Sequence, residues 1–186
     1  MPKFVMKSMA ALSAAAFLFV GAPGDAQAAK FLKLGYAVAE GNAYDTFAKE
    51  FAKNIEKLTN GEIKVKNLCC FKMGGEQDMF KKLQLGTLDG TIIAQNNAGP
   101  FYPKIDLLVL PYMLQNYEHA VKVVDGPVGQ MIWKDMPKEA GVHLVSIAVL
   151  SFRHIYNSKQ AINSIADFAP LKYRVPKNVV MVDTYK

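Results

Sequence analysis

The sequence has few of the residue patterns on which most hydrolases and metalloproteins depend. Its three histidines, His119, His143 and His154, are not spaced as metal ligands. No G-x-S-x-G, H-E-x-x-H or Walker sequence occurs. We therefore interpret the histidines as surface or packing residues, and the sequence predicts no catalytic group, no metal ligand and no cofactor.

Cysteine is almost absent, because the only two, Cys69 and Cys70, are neighbours. Neighbouring cysteines cannot join distant segments, and a disulfide between them is uncommon. A metal site would need further ligands, and there is no C-x-x-C spacing. We interpret the pair as two small apolar residues at the end of a strand.

Strong charge of either sign is also missing. The chain has 22 lysines and arginines against 16 aspartates and glutamates, which gives a formal net charge of +6. The lysines are scattered and form no run with interleaved aromatic residues, which argues against a nucleic-acid partner. A mildly basic surface favours anionic ligands or a membrane partner.

No apolar run is long enough to span a bilayer comfortably. The run "SMAALSAAAFLFVGA" follows a short basic start, and "AQA" ending at Ala28 fits a small-x-small cleavage pattern. These features predict a signal peptide, Met1 to Ala28, and an extracytoplasmic mature chain that begins at Ala29. An uncleaved anchor is the weaker alternative, and a lipoprotein signal would need a cysteine at the cleavage site.

The first part of the remaining chain alternates between strand and helix patterns. Apolar residues alternate in "FLKLGYA", recur at helical spacing from Tyr44 to Leu58, and alternate again in "EIKVKNL". A helix in "GGEQDMFKKLQLG" and a strand in "TLDGTIIAQNN" follow. This βαβαβ order predicts an α/β fold with a parallel or mixed sheet.

Farther along, Asp125, Gly126 and Pro127 predict a break between two helices, with the proline opening the second. The run "GVHLVSIAVL" predicts a buried strand, and "LKYRVP" predicts another. Between them, Ser164 and Asp167 predict a capped short helix.

Polar residues fall where the predicted strands end. Ligands of open α/β sheets bind beyond the carboxyl ends of the strands, so we expect Tyr36, Glu76 and Gln95 near one cleft. Glu76 should lie at or near the start of a helix. The alternative is that such residues are merely solvated loop residues.

Two arginines occupy strand-like positions in a largely apolar region, Arg153 after "HLVSIAVL" and Arg174 inside "LKYRVP". A guanidinium offers paired donors that match a carboxylate, which lysine does not. Each arginine therefore either binds an anion or forms a structural salt bridge.

The order of "LKLGY", "FAKNIEKLTNGEIKVK", "MGGEQDMFKKLQLGTLDG", "FYPKIDLLVLPYM" and "FRHIYNSKQAINSIADFAPLKYRVP" resembles the solute-binding subunits of tripartite ATP-independent periplasmic (TRAP) transporters. The similarity extends from about Lys30 to Lys186. It implies a periplasmic binding protein-like fold of two α/β lobes that closes on an organic acid. The K-x-R-V-P arginine of that family, matched by Arg174, holds the ligand carboxylate, and the x-R-x-x-x-N-S arginine, matched by Arg153, often assists.

The resemblance implies a non-enzymatic protein that delivers a small organic acid to the small and large membrane subunits of a transporter. Its expected layout is a signal peptide at 1–28, a first lobe at 29–150 and the start of an incomplete second lobe at 151–186. The expected ligand-binding residues are Arg174, Arg153, Glu76, Gln95, Tyr36 and Asn178. A periplasmic enzyme that uses Glu76 or Asp89 as an acid or base, and a non-functional truncated remnant, are the alternatives.

Overall fold

The computed structural model describes residues 29–186. The predicted signal peptide, Met1 to Ala28, lies outside the described residues. No helix within 29–186 is long and apolar enough to cross a membrane.

A three-stranded parallel sheet forms the centre of the first half of the chain. Its strands are β1 (Lys30–Tyr36), β2 (Ile63–Leu68) and β3 (Gly90–Ile92), in the spatial order β2-β1-β3. Lys30 pairs with Ile63, and Leu34 pairs with Gly90. The predicted βαβαβ order and its parallel sheet are therefore confirmed.

Helices connect these strands and continue beyond them. They are α1 (Ala43–Leu58), α2 (Glu76–Gln84), α3 (Gln95–Ala98), α4 (Tyr117–Asp125), α5 (Pro127–Glu139) and α6 (Val179–Thr184). Two short 3₁₀ segments span Pro103–Leu108 and Ile165–Phe168.

Local sequence explains where the helices begin and end. The side chain of Asn42 accepts a hydrogen bond from the backbone N–H of Tyr44 and caps α1. Gly126 separates α4 from α5, and Pro127 occupies the first turn of α5, where its missing N–H costs nothing. The predicted break is confirmed. So is the capping box of Ser164 and Asp167, on a 3₁₀ segment.

The core has two parts, one on the sheet and one among the later helices. Leu34, Tyr36, Ala48 and Cys69 form a buried cluster where α1 covers the sheet. On the opposite face of the sheet, helix α2 packs closely against Gly35. A Cβ on that glycine would lie only 2.8 Å from the Met79 sulfur, so a larger residue would not fit without a shift. The second part gathers buried residues of α2 to α5 and of the segment 98–108: Phe80, Ala98, Tyr102, Ile105, Leu108, Val124, Ile132, Met136 and Ala140.

Two predicted strands are not formed. Residues 141–150 and 171–176 are irregular. Within residues 29–186, no backbone–backbone hydrogen bond involves 141–163, and those of 171–176 are local turns, so these segments have no neighbouring strand. Alternate side chains, such as Val142 and Leu144, still pack against the helical cluster, whereas Val145 is 68% exposed. The prediction of a buried strand was therefore wrong for 141–150, because its alternating pattern reflects packing of one side of an irregular segment against the helices.

The interpretation of the cysteines was wrong in part. Cys69 and Cys70 form a disulfide directly after β2. Cys69 is a buried member of the sheet cluster, as expected, but Cys70 is exposed and has a positive φ of 62°.

Candidate functional site

The strand order creates a crevice at one edge of the sheet. The chain passes from β1 to β2 on one side, then crosses to β3 on the other side of β1. The segments that leave β1 and β3 therefore diverge, and ligands of open α/β folds bind at such a point. An open groove begins here; Tyr44, Phe47, Ile93, Gln95 and Arg153 are among its lining residues.

Glu76 fastens the start of α2 to the segment after β3. Its Oε2 accepts hydrogen bonds from the Ala94 backbone N–H at 2.8 Å and from Asn97 Nδ2 at 2.6 Å. Among residues 29–186, Oε1 has no hydrogen-bond partner. The carboxylate is thus held by neutral donors and keeps one oxygen available as an acceptor. Glu76 is the first residue of its helix, as the sequence predicts.

Arg153 supplies a positive charge to the groove. Its Nη2 donates a 2.7 Å hydrogen bond to Oδ1 of the buried Asn96. No carboxylate in residues 29–186 lies within 4.0 Å of Arg153, so the structural salt bridge considered for it is not formed in this part of the chain. A guanidinium held by a neutral amide keeps its full charge and most of its donors.

Tyr44 lies close enough to both charged groups to respond to them. Burial raises the pKa of its phenol to about 12, with a further rise from the negative charge of Glu76 and an opposing effect from Arg153. It therefore remains a neutral hydroxyl that can donate or accept. The sequence analysis missed Tyr44 as a site residue, although its position just after the end of β1 was a signal.

Tyr36 does not belong to the groove, which corrects the prediction. It is 2% exposed, and its hydroxyl donates a 2.6 Å hydrogen bond to Asp45 Oδ1. Burial, followed by the hydrogen bond to Asp45, raises its pKa to about 12. Asp45 also accepts from the Gly41 backbone N–H at 2.8 Å. Tyr36 therefore helps to anchor the loop after β1 from beneath, because the strand alternation that buries Leu34 buries it too.

Asn178 is likewise a packing residue in this structure. It is 3% exposed and caps α6 by accepting from the Met181 backbone N–H. Its Nδ2 donates to the backbone oxygen of Asn96 and to Asp106 Oδ1. Both protons of the amide are used and its oxygen caps α6, so the buried Asn178 has no donor left for a ligand.

The other predicted residues differ in their position. Gln95 opens α3, is exposed and lines the groove. Arg174 is exposed in an irregular segment, does not line the groove, and forms no ion pair with any residue of 29–186. The structure thus places Glu76, Gln95 and Arg153 around the segment 94–97, whereas Arg174 forms no hydrogen bond with them within residues 29–186.

Asp89, one of the two acids considered for an enzyme, lies at the wrong end of the sheet for the crevice. It precedes β3, and its Oδ2 accepts a 2.8 Å hydrogen bond from the Lys33 backbone N–H. The carboxylate thus adds one hydrogen bond between β1 and the start of β3, directly before the first paired residues, Leu34 and Gly90. Asp89 therefore lies before β3, whereas Glu76 bonds to Ala94, which follows β3.

The cysteine pair flanks the crevice. Oxygen and sulfur ligand atoms of Glu40, Cys69 and Cys70 all lie within 4.8 Å of one another. The two sulfurs are bonded together, so neither is a thiolate that could bind a metal.

A parallel α/β sheet with a charged crevice at its switch point is the architecture of a ligand-binding lobe. The chain belongs to the bacterial extracellular solute-binding protein family 7, DctP, whose sequence profile matches residues 34–186. The resemblance found in the sequence is thereby confirmed.

Individual relatives agree with this assignment. A solute-binding protein of Verminephrobacter eiseniae is 34% identical over 147 residues, which cover 79% of this chain and 42% of the relative. A TRAP periplasmic solute-binding protein from a Polaromonas species, solved with D-erythronate, has a TM-score of 0.80 and 34% identity. That match covers 84% of this chain and 51% of the other.

The sugar acid binding protein DctPAm from Advenella mimigardefordensis, solved with galactonate, also has a TM-score of 0.80, at 25% identity. The match covers 84% of this chain and 50% of that protein. This chain therefore spans about half the length of the proteins it resembles.

Proposed function

We propose that this chain forms the first lobe, 29–150, and the beginning of the second lobe, 151–186, of a periplasmic solute-binding protein for a TRAP transporter. The protein captures a carboxylate-bearing sugar acid and delivers it to the small and large membrane subunits. It binds its solute without converting it.

The observation that carries this proposal is the environment of Arg153. The arginine lines the groove, has no carboxylate within ion-pair distance in residues 29–186, and is held by the neutral Asn96. A charged donor in that position favours an anion, and guanidinium groups match carboxylates in shape and spacing.

Glu76 and Tyr44 give a reason to favour a sugar acid over a simple dicarboxylate. Glu76 is an acceptor with one oxygen available, and Tyr44 stays neutral. Hydroxyl groups donate readily to such acceptors, whereas a second carboxylate would be repelled by Glu76. A carboxylate at Arg153 and hydroxyls toward Glu76 describe an aldonate, the class to which the D-erythronate and galactonate of the two solved relatives belong.

Calorimetry on the full-length protein tests the proposal. D-erythronate and galactonate are titrated alongside erythritol, a polyol that matches D-erythronate but has no carboxylate. We expect at least one aldonate to bind at least about tenfold more tightly than erythritol, because a shielded charge-assisted hydrogen bond is worth about 1.5–3 kcal/mol. Equal affinities for the acid and the polyol would overturn the carboxylate assignment, and recovery of a chemically altered ligand would favour the enzyme alternative.

A further inference from the structure

Asn96 joins the groove to a buried polar cluster. It is 1% exposed and lies in α3, directly after Gln95. Its side-chain oxygen accepts from Arg153, and its backbone oxygen accepts from Asn178 Nδ2 at 3.1 Å. A single buried residue therefore connects the groove arginine to the interior.

The amide of Asn96 is a partner that does not neutralise Arg153. A carboxylate in the same place would form an ion pair with Arg153, and its negative charge would oppose a bound anion. A neutral oxygen fixes the direction of the guanidinium and leaves its positive charge for the ligand. Orientation without neutralisation is what a carboxylate-binding arginine requires.

The orientation of the Asn96 amide also supports a role in holding Arg153. Within residues 29–186, its Nδ2 is buried and has no hydrogen-bond partner. Rotating the amide by half a turn would aim Nδ2 at the guanidinium, which is itself only a donor. Because a buried donor without a partner is unfavourable, the unpaired Nδ2 of Asn96 does not contribute to the stability of the fold. The contact with Arg153 is what the amide gains from this orientation.

A buried cluster holds Asn96 in place. Asn178 Nδ2 also donates to Asp106 Oδ1 at 2.7 Å, and both residues are buried. Gly99 makes this packing possible, because a Cβ there would collide with Asp106 Oδ1 and Asn178 Nδ2. Contacts from α6 and from the 3₁₀ segment Pro103–Leu108 thus fix the backbone that carries Asn96.

We propose that Asn96 is a positioning residue that holds the Arg153 guanidinium in the groove with its charge intact for a ligand carboxylate. This inference rests on the proposed function. It adds a residue that does not itself need to touch the solute.

A double-mutant cycle on ligand affinity separates positioning from general packing. The variants are Asn96→Ala, Arg153→Gln and the combination of both in the full-length protein. The ligand is D-erythronate or galactonate, whichever binds the unmutated protein more tightly. We expect Asn96→Ala to weaken binding about tenfold or more when Arg153 is present, and less than about threefold when residue 153 is glutamine.

A purely structural Asn96 would lower affinity by the same factor in both backgrounds, and that result would overturn the inference while leaving the proposed function intact. Failure of the unmutated protein to bind either aldonate would overturn the proposed function and this inference with it. The two failures are therefore distinguishable.

Asn96→Asp provides a second route if the alanine variant does not fold. The shape is almost unchanged, but the partner of Arg153 becomes a carboxylate. The ion pair with Arg153 offsets part of the cost of burying the new carboxylate, and thermal unfolding without ligand establishes that the variant is folded. We expect its affinity for the aldonate to fall about tenfold or more. Unchanged affinity in a folded Asn96→Asp protein would refute the requirement for a neutral partner.

Discussion

Residues 29–140 and residues 141–186 differ in how their backbones are supported. The first region contains β1, β2, β3 and helices α1 to α5, whereas the second contains only α6 and one short 3₁₀ segment among largely irregular chain. Both regions are rich in apolar residues, yet among the described residues Met181 is the one buried apolar side chain of the second region. The first region builds the crevice, whereas the second contributes Arg153 to the groove and carries the exposed Arg174.

This difference shows that apolar alternation alone does not make a strand. β1 is paired on both sides, and its last three residues are buried. Residues 141–150 have a similar pattern but no neighbouring strand, and Leu150 is 50% exposed. Backbone pairing, which depends on distant parts of a chain, decides the outcome.

The largest effect should come from matched truncations in the two regions. Leu88 is 2% exposed and packs with Met79, so Leu88→Ala should destabilise the chain by about 2–5 kcal/mol. Leu150→Ala removes the same atoms from a half-exposed side chain and should cost much less. Denaturant unfolding of both variants measures the difference, and equal losses would mean that the second region is as well supported as the first.

Arg174→Lys should separate binding from stability in the second region. If Arg174 holds the ligand carboxylate, loss of its planar pair of donors should weaken aldonate binding in the full-length protein by about 1–3 kcal/mol. Because its side chain is exposed and forms no ion pair within residues 29–186, the melting temperature without ligand should hardly change. Calorimetry measures the loss of affinity, and thermal unfolding measures the melting temperature. Unchanged affinity would remove Arg174 from the site.

Acid should weaken the first region through Asp45. Hydrogen bonds from the Gly41 backbone N–H, Lys49 and Tyr36 lower the pKa of this carboxyl to about 2, from 3.8 as its ordinary value. Its stabilisation is therefore fully present above the unfolded pKa and is lost as the pH falls from about 4 through about 2. Asp45→Asn should be less stable at pH 7 and should show a flatter stability curve between pH 4 and 2. A curve that stays parallel to that of the unmutated protein would contradict this assignment.

The smallest effect should follow reduction of the disulfide. Cys69 and Cys70 are adjacent, so their bond closes no loop of chain and ties neither region to the other. Its stabilisation should fall well below the about 2–4 kcal/mol typical of disulfides that close longer loops. Thermal unfolding with and without a phosphine reductant should differ by less than about 4 °C. A larger shift would show that the turn after β2 depends on the bond.

Local patterns in the sequence were enough to predict the sheet, the helix break at Gly126 and the position of Glu76 at a helix start. They could not reveal that Tyr36 points into the core, because either face of a strand in a covered sheet is buried. Nor could they assign Asn178 to a cluster with Asn96 and Asp106, since those contacts join residues more than 70 positions apart. Arg153 was proposed as a ligand residue from its strand-like position and the family resemblance, but its neutral partner became visible only in three dimensions.

The central place of β1 also limits the order in which the sheet can assemble. Lys30 pairs with Ile63, whereas Leu34 pairs with Gly90, which comes much later in the chain. Closing the shorter loop loses less chain entropy, and helix α1 already lies within it. The β1–α1–β2 unit should therefore form first and leave the second edge of β1 unpaired, and β3 adds to that edge afterwards. In pulse-labelling hydrogen exchange during refolding, amides that bond β1 to β2 should gain protection before those that bond β1 to β3, and the opposite order would exclude this route.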